Sequence, residues 1–254
     1  MPDAVLETRD LTVRFGGQVA VDGVSSTFHP GTLTAIVGPN GAGKTTYFNL
    51  ISGQLRPTSG DVFLRGERIT DASAPRRARS GIGRAFQLTN LFPNLSVLEN
   101  VRLAVQSHAG IGLDLFAMAG DRAELADRAM AALGRVRLAA RAAMPAAALG
   151  HGDQRKLEVG ILLALEPDIF MFDEPTAGMS GAEVPIILDL IEEIRADAGK
   201  TILLVEHKMD VVRRLADRVI VLHQGALVAD GEPGEVVASV IVQEAYLGMR
   251  PNAA

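Results

Sequence analysis

Gly38, Pro39, Asn40, Gly41, Ala42, Gly43, Lys44 and Thr45 follow one another in the spacing G-x-x-x-x-G-K-[ST], directly after the apolar run Leu33–Val37 and before a helical pattern over 46–52. Residues of these types in this order make an anion cradle. The glycines let backbone N–H groups turn toward one point with no Cβ in the way, and the helix that follows adds the positive end of its dipole. Lys44, the only cation of the loop, is placed to reach the β- and γ-phosphates of a nucleoside triphosphate. The Thr45 hydroxyl suits Mg2+, a hard ion that takes oxygen ligands, and Thr46 is grouped with the nucleotide-binding residues. Far along the chain a second piece appears. Ile169, Phe170, Met171 and Phe172 read as a buried strand that delivers Asp173 and Glu174 at its C-terminal end, where open α/β sheets bind ligands. Asp173 then belongs to the Mg2+ shell, and Glu174 polarises an attacking water. A Gly-rich turn and a solvated acidic loop are the plainer readings of the two pieces, and their joint occurrence favours Mg-ATP binding and hydrolysis.

Both pieces need a sheet to bring them together. Short apolar runs at 33–37, 169–172, 202–205 and 219–222 read as buried parallel strands, with helical patterns over 184–198 and 210–216 between them. This alternation predicts an α/β sheet covered on both faces. Residues 5–15 and 19–28, joined at Gly16-Gly17, predict a separate antiparallel β piece beside it. Between about 95 and 160 Ala, Leu and Arg dominate, which predicts a helical insertion interrupted around Gly110, Gly112 and Gly120. The turn His223-Gln224-Gly225 with the run 226–229 predicts a closing hairpin. The expected division is an N-terminal part of the core over 1–94, the helical subdomain over 95–160, a C-terminal part of the core over 161–237 and a tail over 238–254.

Composition narrows the classes. At 254 residues and 48% hydrophobic content the chain can bury a sizeable core as one large domain, or as one domain carrying a subdomain. It has no Cys, which removes disulfides and Cys-based metal or redox sites and is compatible with a reducing cytoplasm. The acidic start MPDAVLETRD lacks a basic segment followed by an apolar run, so no signal peptide is expected, and no run approaches a membrane span. A net charge of -5 without a long Lys/Arg tract argues against nucleic acid as a partner. Arg76, Arg77, Arg79 and Arg84 form a local basic cluster, read as a solvated surface.

Five segments in one order carry a family resemblance: the phosphate loop, Gln87 in Arg84-Ala85-Phe86-Gln87, Leu149-Gly150-His151-Gly152-Asp153-Gln154-Arg155, Asp173-Glu174-Pro175, and His207 after the run 202–205. The set resembles an ABC-transporter ATP-binding subunit and covers most of the chain. The resemblance implies a P-loop NTPase, RecA-like core with a mostly parallel sheet, an N-terminal antiparallel β piece and a helical subdomain. It also implies a role for each matching residue. Phe15 stacks on adenine, its alternative being a buried strand residue; Gln87 senses Mg2+ and the lytic water and links to the membrane subunit. His207 contacts the γ-phosphate and orients the water, and the loop 177–180 touches an opposite protomer. Gly150, His151, Gly152 and Asp153 then lie at the start of a helix facing ATP held by a second ATPase subunit, so that two protomers enclose two nucleotides.

This segment departs from the usual Leu-Ser-Gly-Gly-Gln, with Gly150 for Ser, His151 for the first Gly and Asp153 for Gln. Loss of the Ser hydroxyl removes one γ-phosphate donor, and slower turnover is the expectation. The runs 152–158, 173–179, 206–210 and 244–248 are similar to ATP-binding subunits of branched-chain or hydrophobic amino-acid importers. That resemblance implies integral-membrane permease subunits, a solute-binding protein as an indirect partner, and a peripheral position on the cytoplasmic face of the cell membrane. Urea or amide importers, a soluble ABC-type ATPase acting on macromolecules, and a non-hydrolysing nucleotide-binding regulatory module are the alternatives.

Overall fold

In a computed structural model of the chain, residues 3–85, 91–110 and 122–239 are described. Strands β1 (Leu6–Phe15), β2 (Gln18–Phe28), β4 (Ser59–Leu64) and β5 (Glu67–Arg68) form an antiparallel sheet in the order β2-β1-β4-β5. A second sheet holds β3 (Leu33–Val37), β6 (Ile82–Ala85), β7 (Ile169–Asp173), β8 (Thr201–Val205), β9 (Arg218–His223) and β10 (Ala226–Gly231) in the order β10-β9-β3-β8-β7-β6. Within it β9, β3, β8, β7 and β6 run parallel, and β10 closes one edge as an antiparallel hairpin partner of β9. The helices are α1 (Lys44–Ser52), α2 (Ala74–Arg79), α3 (Val97–His108), α4 (Arg122–Arg135), α5 (His151–Ala164), α6 (Val184–Arg195), α7 (Met209–Leu215) and α8 (Pro233–Ala238).

Every residue of β3, β7 and β8 is buried, as expected of strands covered on both faces, and alternate side chains serve two different cores. Phe170, Phe172, Ile202 and Leu204 join α3, α4, α5 and α6 on one face. Ile169, Met171, Leu203 and Val205 join α1 and the antiparallel sheet on the other. Helix α1 therefore lies between the two sheets. Tyr47, Phe48, Leu50 and Ile51 are fully buried, and the Tyr47 hydroxyl shares a 2.8 Å hydrogen bond with Thr8 Oγ1 of β1. The helix that follows the phosphate loop is thus clamped from both sides.

Two expectations need correction. Residues 56–85 carry four elements that periodicity left unassigned, namely β4, β5, α2 and β6; each is short, and none has a sustained apolar period. The basic cluster is not simply a solvated surface. Arg76 and Arg79 are exposed, but Arg77 is 1% exposed and donates to the carbonyls of Leu50, Ile51, Thr70 and Ala72 at 2.7, 2.6, 2.8 and 3.1 Å. It closes the C-terminal turn of α1, whose last carbonyls have no partner within the helix. Burial pushes the Arg77 guanidinium down to about 10. Arg84 is also drawn inward, to an acid described below.

Candidate nucleotide site

Parallel strands of one sheet end on the same side, so the register decides what meets there. Val205 pairs with Ile36 on one side and with Asp173 on the other, which brings the start of the phosphate loop, the acids after β7 and the segment after β8 to one edge. The loop between β3 and α1 is shaped by contacts that exclude side chains. A Cβ on Gly38 would stand 2.1 Å from the Leu222 carbonyl oxygen, and one on Gly43 would stand 2.4 Å from the Ala20 carbonyl oxygen. Gly43 also caps α1 with φ 96, a left-handed conformation that favours glycine.

Lys44 starts α1 and turns back over the loop. Its Nζ donates to the Gly38 carbonyl at 2.7 Å and to the Pro39 carbonyl at 3.0 Å. Burial holds the ammonium below its ordinary pKa, while Glu174 and Asp173 pull it back up, so both acids act on the same cation. A cavity of about 550 Å3 opens over this loop. It is lined by Phe15, by residues 40–46 including Lys44, Thr45 and Thr46, and by Glu174. Gln18, Val19, Ala20 and Gln224 also line it, four residues that carry no recognisable motif in the sequence. Phe15 is 52% exposed at the cavity wall, which removes its reading as a buried strand residue.

Asp173 closes β7 and is 8% exposed; its Oδ2 accepts from Arg84 Nη2 at 2.8 Å. Glu174 follows with φ 50, a left-handed conformation that a glutamate rarely adopts, held by its N–H donating to the Val205 carbonyl at 2.9 Å. Its Oε1 lies 3.9 Å from His207 Nδ1. The turn after β7 thus aims the Glu174 carboxylate into the cavity and toward His207, both half-exposed. Glu206, the residue before His207, is wholly buried, and the Thr176 hydroxyl donates to its Oε1 at 3.2 Å. The hydroxyl of Thr45 and the carboxylate of Asp173 are hard oxygen donors, the set that suits Mg2+. Gln87 lies outside the described residues.

The segment 150–153 is elsewhere. Gly150 is the N-cap of α5 without a side-chain cap hydrogen bond, and His151, Gly152 and Asp153 form the first turn of that helix. None of them lines the cavity over the phosphate loop. Asp153 accepts from Lys156 Nζ at 2.8 Å and pairs with Arg141, so cations on both sides balance the carboxylate that stands in the Gln position.

A sequence profile of the ABC transporter family matches residues 21–177. The chain belongs to that family. It is an ATPase of the ABC type. The high-affinity branched-chain amino acid transport ATP-binding protein LivG of Escherichia coli (strain K12) is 37% identical over 255 residues, covering 98% of this chain and 99% of LivG. Among solved structures, the ADP conformation of MJ1267, an ATP-binding cassette of an ABC transporter, superimposes with a TM-score of 0.82 at 29% identity, covering 97% of this chain and 100% of that one. The dimeric structure of MJ0796, a bacterial ABC transporter cassette, superimposes with a TM-score of 0.77 at 27% identity, covering 90% of this chain and 98% of that one.

Proposed function

We propose that this chain is the ATP-hydrolysing subunit of an importer for branched-chain or other hydrophobic amino acids, with the site over the phosphate loop as one half of each composite ATP site. The likeness to LivG over nearly the full length of both chains supports the substrate class. The observation that carries the chemistry is the cavity in which the phosphate loop and Glu174 face each other, with Phe15 at its rim.

In this reading Phe15 stacks on adenine. The N–H groups of residues 38–46 and the Lys44 ammonium hold the phosphates, Lys44 exchanging the Gly38 and Pro39 carbonyls for phosphate oxygens. Thr45 and Asp173, with Gln87 as a third ligand, would hold Mg2+, which would supply positive charge against that developing on the phosphates. Glu174 takes the proton of the attacking water, and His207 orients that water against the γ-phosphate. Gly150, His151, Gly152 and Asp153 present the N-terminus of α5 to ATP held by a second copy or a related subunit, a reading that the dimeric MJ0796 cassette supports.

Residues 1–94 and 161–237 form the ATPase core, 95–160 the subdomain carrying the start of that helix, which runs on to Ala164 across the boundary, and 238–254 the tail. Among the described residues no helix is long and apolar enough to cross a membrane. In this reading, which the likeness to LivG supports, transport belongs to integral-membrane permease subunits docked near Gln87, fed by a solute-binding protein, with this chain peripheral on the cytoplasmic face.

Glu174→Gln tests the assignment. The variant should bind ATP as the wild type does, accumulate a closed dimer on gel filtration with ATP, and release phosphate at least about a hundredfold more slowly. Wild-type phosphate release from this variant would remove Glu174 as the base.

A further inference from the structure

None of the roles above uses Arg84, although it is the cation in hydrogen-bond contact with the Asp173 carboxylate. The side chain is 7% exposed and reaches two elements, β7 and α1, from the end of β6. Nη2 donates to Asp173 Oδ2 of β7 at 2.8 Å. Nη1 donates to Asn49 Oδ1 at 2.7 Å and Ser52 Oγ at 2.9 Å, both on α1, with Gln54 Oε1 at 3.3 Å. The guanidinium also lies 5.4 Å from the Phe48 ring centre of the same helix. One buried cation therefore ties the acid that ends β7 to the helix that begins at the phosphate loop, from a strand residue three positions before Gln87.

A guanidinium holds its acceptors in a fixed planar fork, so it fixes direction as well as charge. With Oδ2 occupied, Oδ1 is the oxygen of Asp173 left without a hydrogen bond among the described residues. The positive charge beside the carboxylate also weakens its attraction for any second cation.

We propose that Arg84 is a positioning residue for the divalent cation of ATP hydrolysis: it fixes the Asp173 carboxylate against α1, leaves one oxygen for the metal, and keeps the metal's hold moderate. This rests on the reading of Asp173 as a residue of the metal shell. It separates two effects that ordinarily move together. Removing the fork should loosen the geometry and slow the reaction, while removing the charge should tighten cation binding.

The test uses the full chain, with Mn2+ binding followed by electron paramagnetic resonance in the presence of a non-hydrolysable ATP analogue, and kcat measured across a Mg2+ titration. Arg84→Met should lower kcat by about tenfold or more while raising Mn2+ affinity by about threefold to tenfold. Arg84→Lys keeps the charge without the fork; it should show near-wild-type Mn2+ affinity and an intermediate kcat. Asn49→Ala removes one anchor and leaves the ion pair. It should lower kcat a few-fold with Mn2+ affinity unchanged, and it keeps the question open to refutation if Arg84→Met fails to fold. Unchanged kcat in both Asn49→Ala and Arg84→Lys, or a parallel fall of Mn2+ affinity and kcat in Arg84→Met, overturns the proposal. Asp173→Asn separates the two levels: if it leaves Mn2+ affinity at the wild-type value, the assignment of Asp173 fails; if it abolishes binding while Arg84→Met binds Mn2+ as the wild type does, the role of Arg84 fails alone.

Discussion

A methyl group at residue 43 would have nowhere to go: it would stand 2.4 Å from the Ala20 carbonyl oxygen, on a residue with φ 96. The left-handed conformation alone costs an alanine on the order of 1 kcal/mol, and relieving the overlap means moving the backbone of β2 or of the loop. Gly43→Ala should therefore weaken ATP binding by more than about tenfold, measured by calorimetry, and lower the melting temperature as well. Glu206 offers a second test by pH. Burial raises its pKa above the ordinary 4.5, with His207, the Thr176 hydroxyl and Lys208 pulling the other way. A raised folded pKa means a contribution to stability that is present below the unfolded value and is lost as pH rises through the folded one. Glu206→Gln cannot titrate, so its stability relative to the wild type should increase from pH 4 to pH 8 in urea unfolding; a difference that stays flat refutes the shift. Lys44, Asp173 and Glu174 were legible because fixed spacing carries their chemistry. Arg84, Glu206, Gln18 and Gln224 were not, since each acquires its place only when strands distant in sequence come together.

Helix α1 shows what the same principle means for a whole element. Its N-terminus is the phosphate loop, and its C-terminus is closed by Arg77, a residue 1% exposed with four carbonyl partners. Arg77→Met would fill most of the volume but leave the carbonyls of Leu50 and Ile51 buried without a donor. The expected loss is about 3 kcal/mol, read from the urea midpoint at unchanged slope. Continuous apolar runs made β3, β7, β8 and β9 legible, because strands buried on both faces need nothing else. The same signal is missing from β4, whose burial mixes exposed, half-buried and buried positions, and from the two-residue β5. Helix α2 has six residues, three of them Arg, and only tertiary contact shows that its middle arginine points inward.

At the scale of the molecule, the cavity over the phosphate loop and the first turn of α5 are separate surfaces of one chain. If a second protomer completes each site, ATP hydrolysis per chain should rise with protein concentration and level off as the dimer fills. A specific activity constant over a hundredfold dilution would falsify the shared site. In such a shared site the carboxylate of Asp153 would meet a polyphosphate already offset by Lys156 and Arg141.

The ammonium of Lys44 resting on the oxygens of residues 38 and 39 has a further bearing on the shape of the loop. One side chain ties the first two peptides after β3 to the first residue of α1, so both ends of the turn are pinned at a single nitrogen. A neutral side chain at this position would take away that staple as well as a charge, leaving two carbonyl oxygens to find another donor.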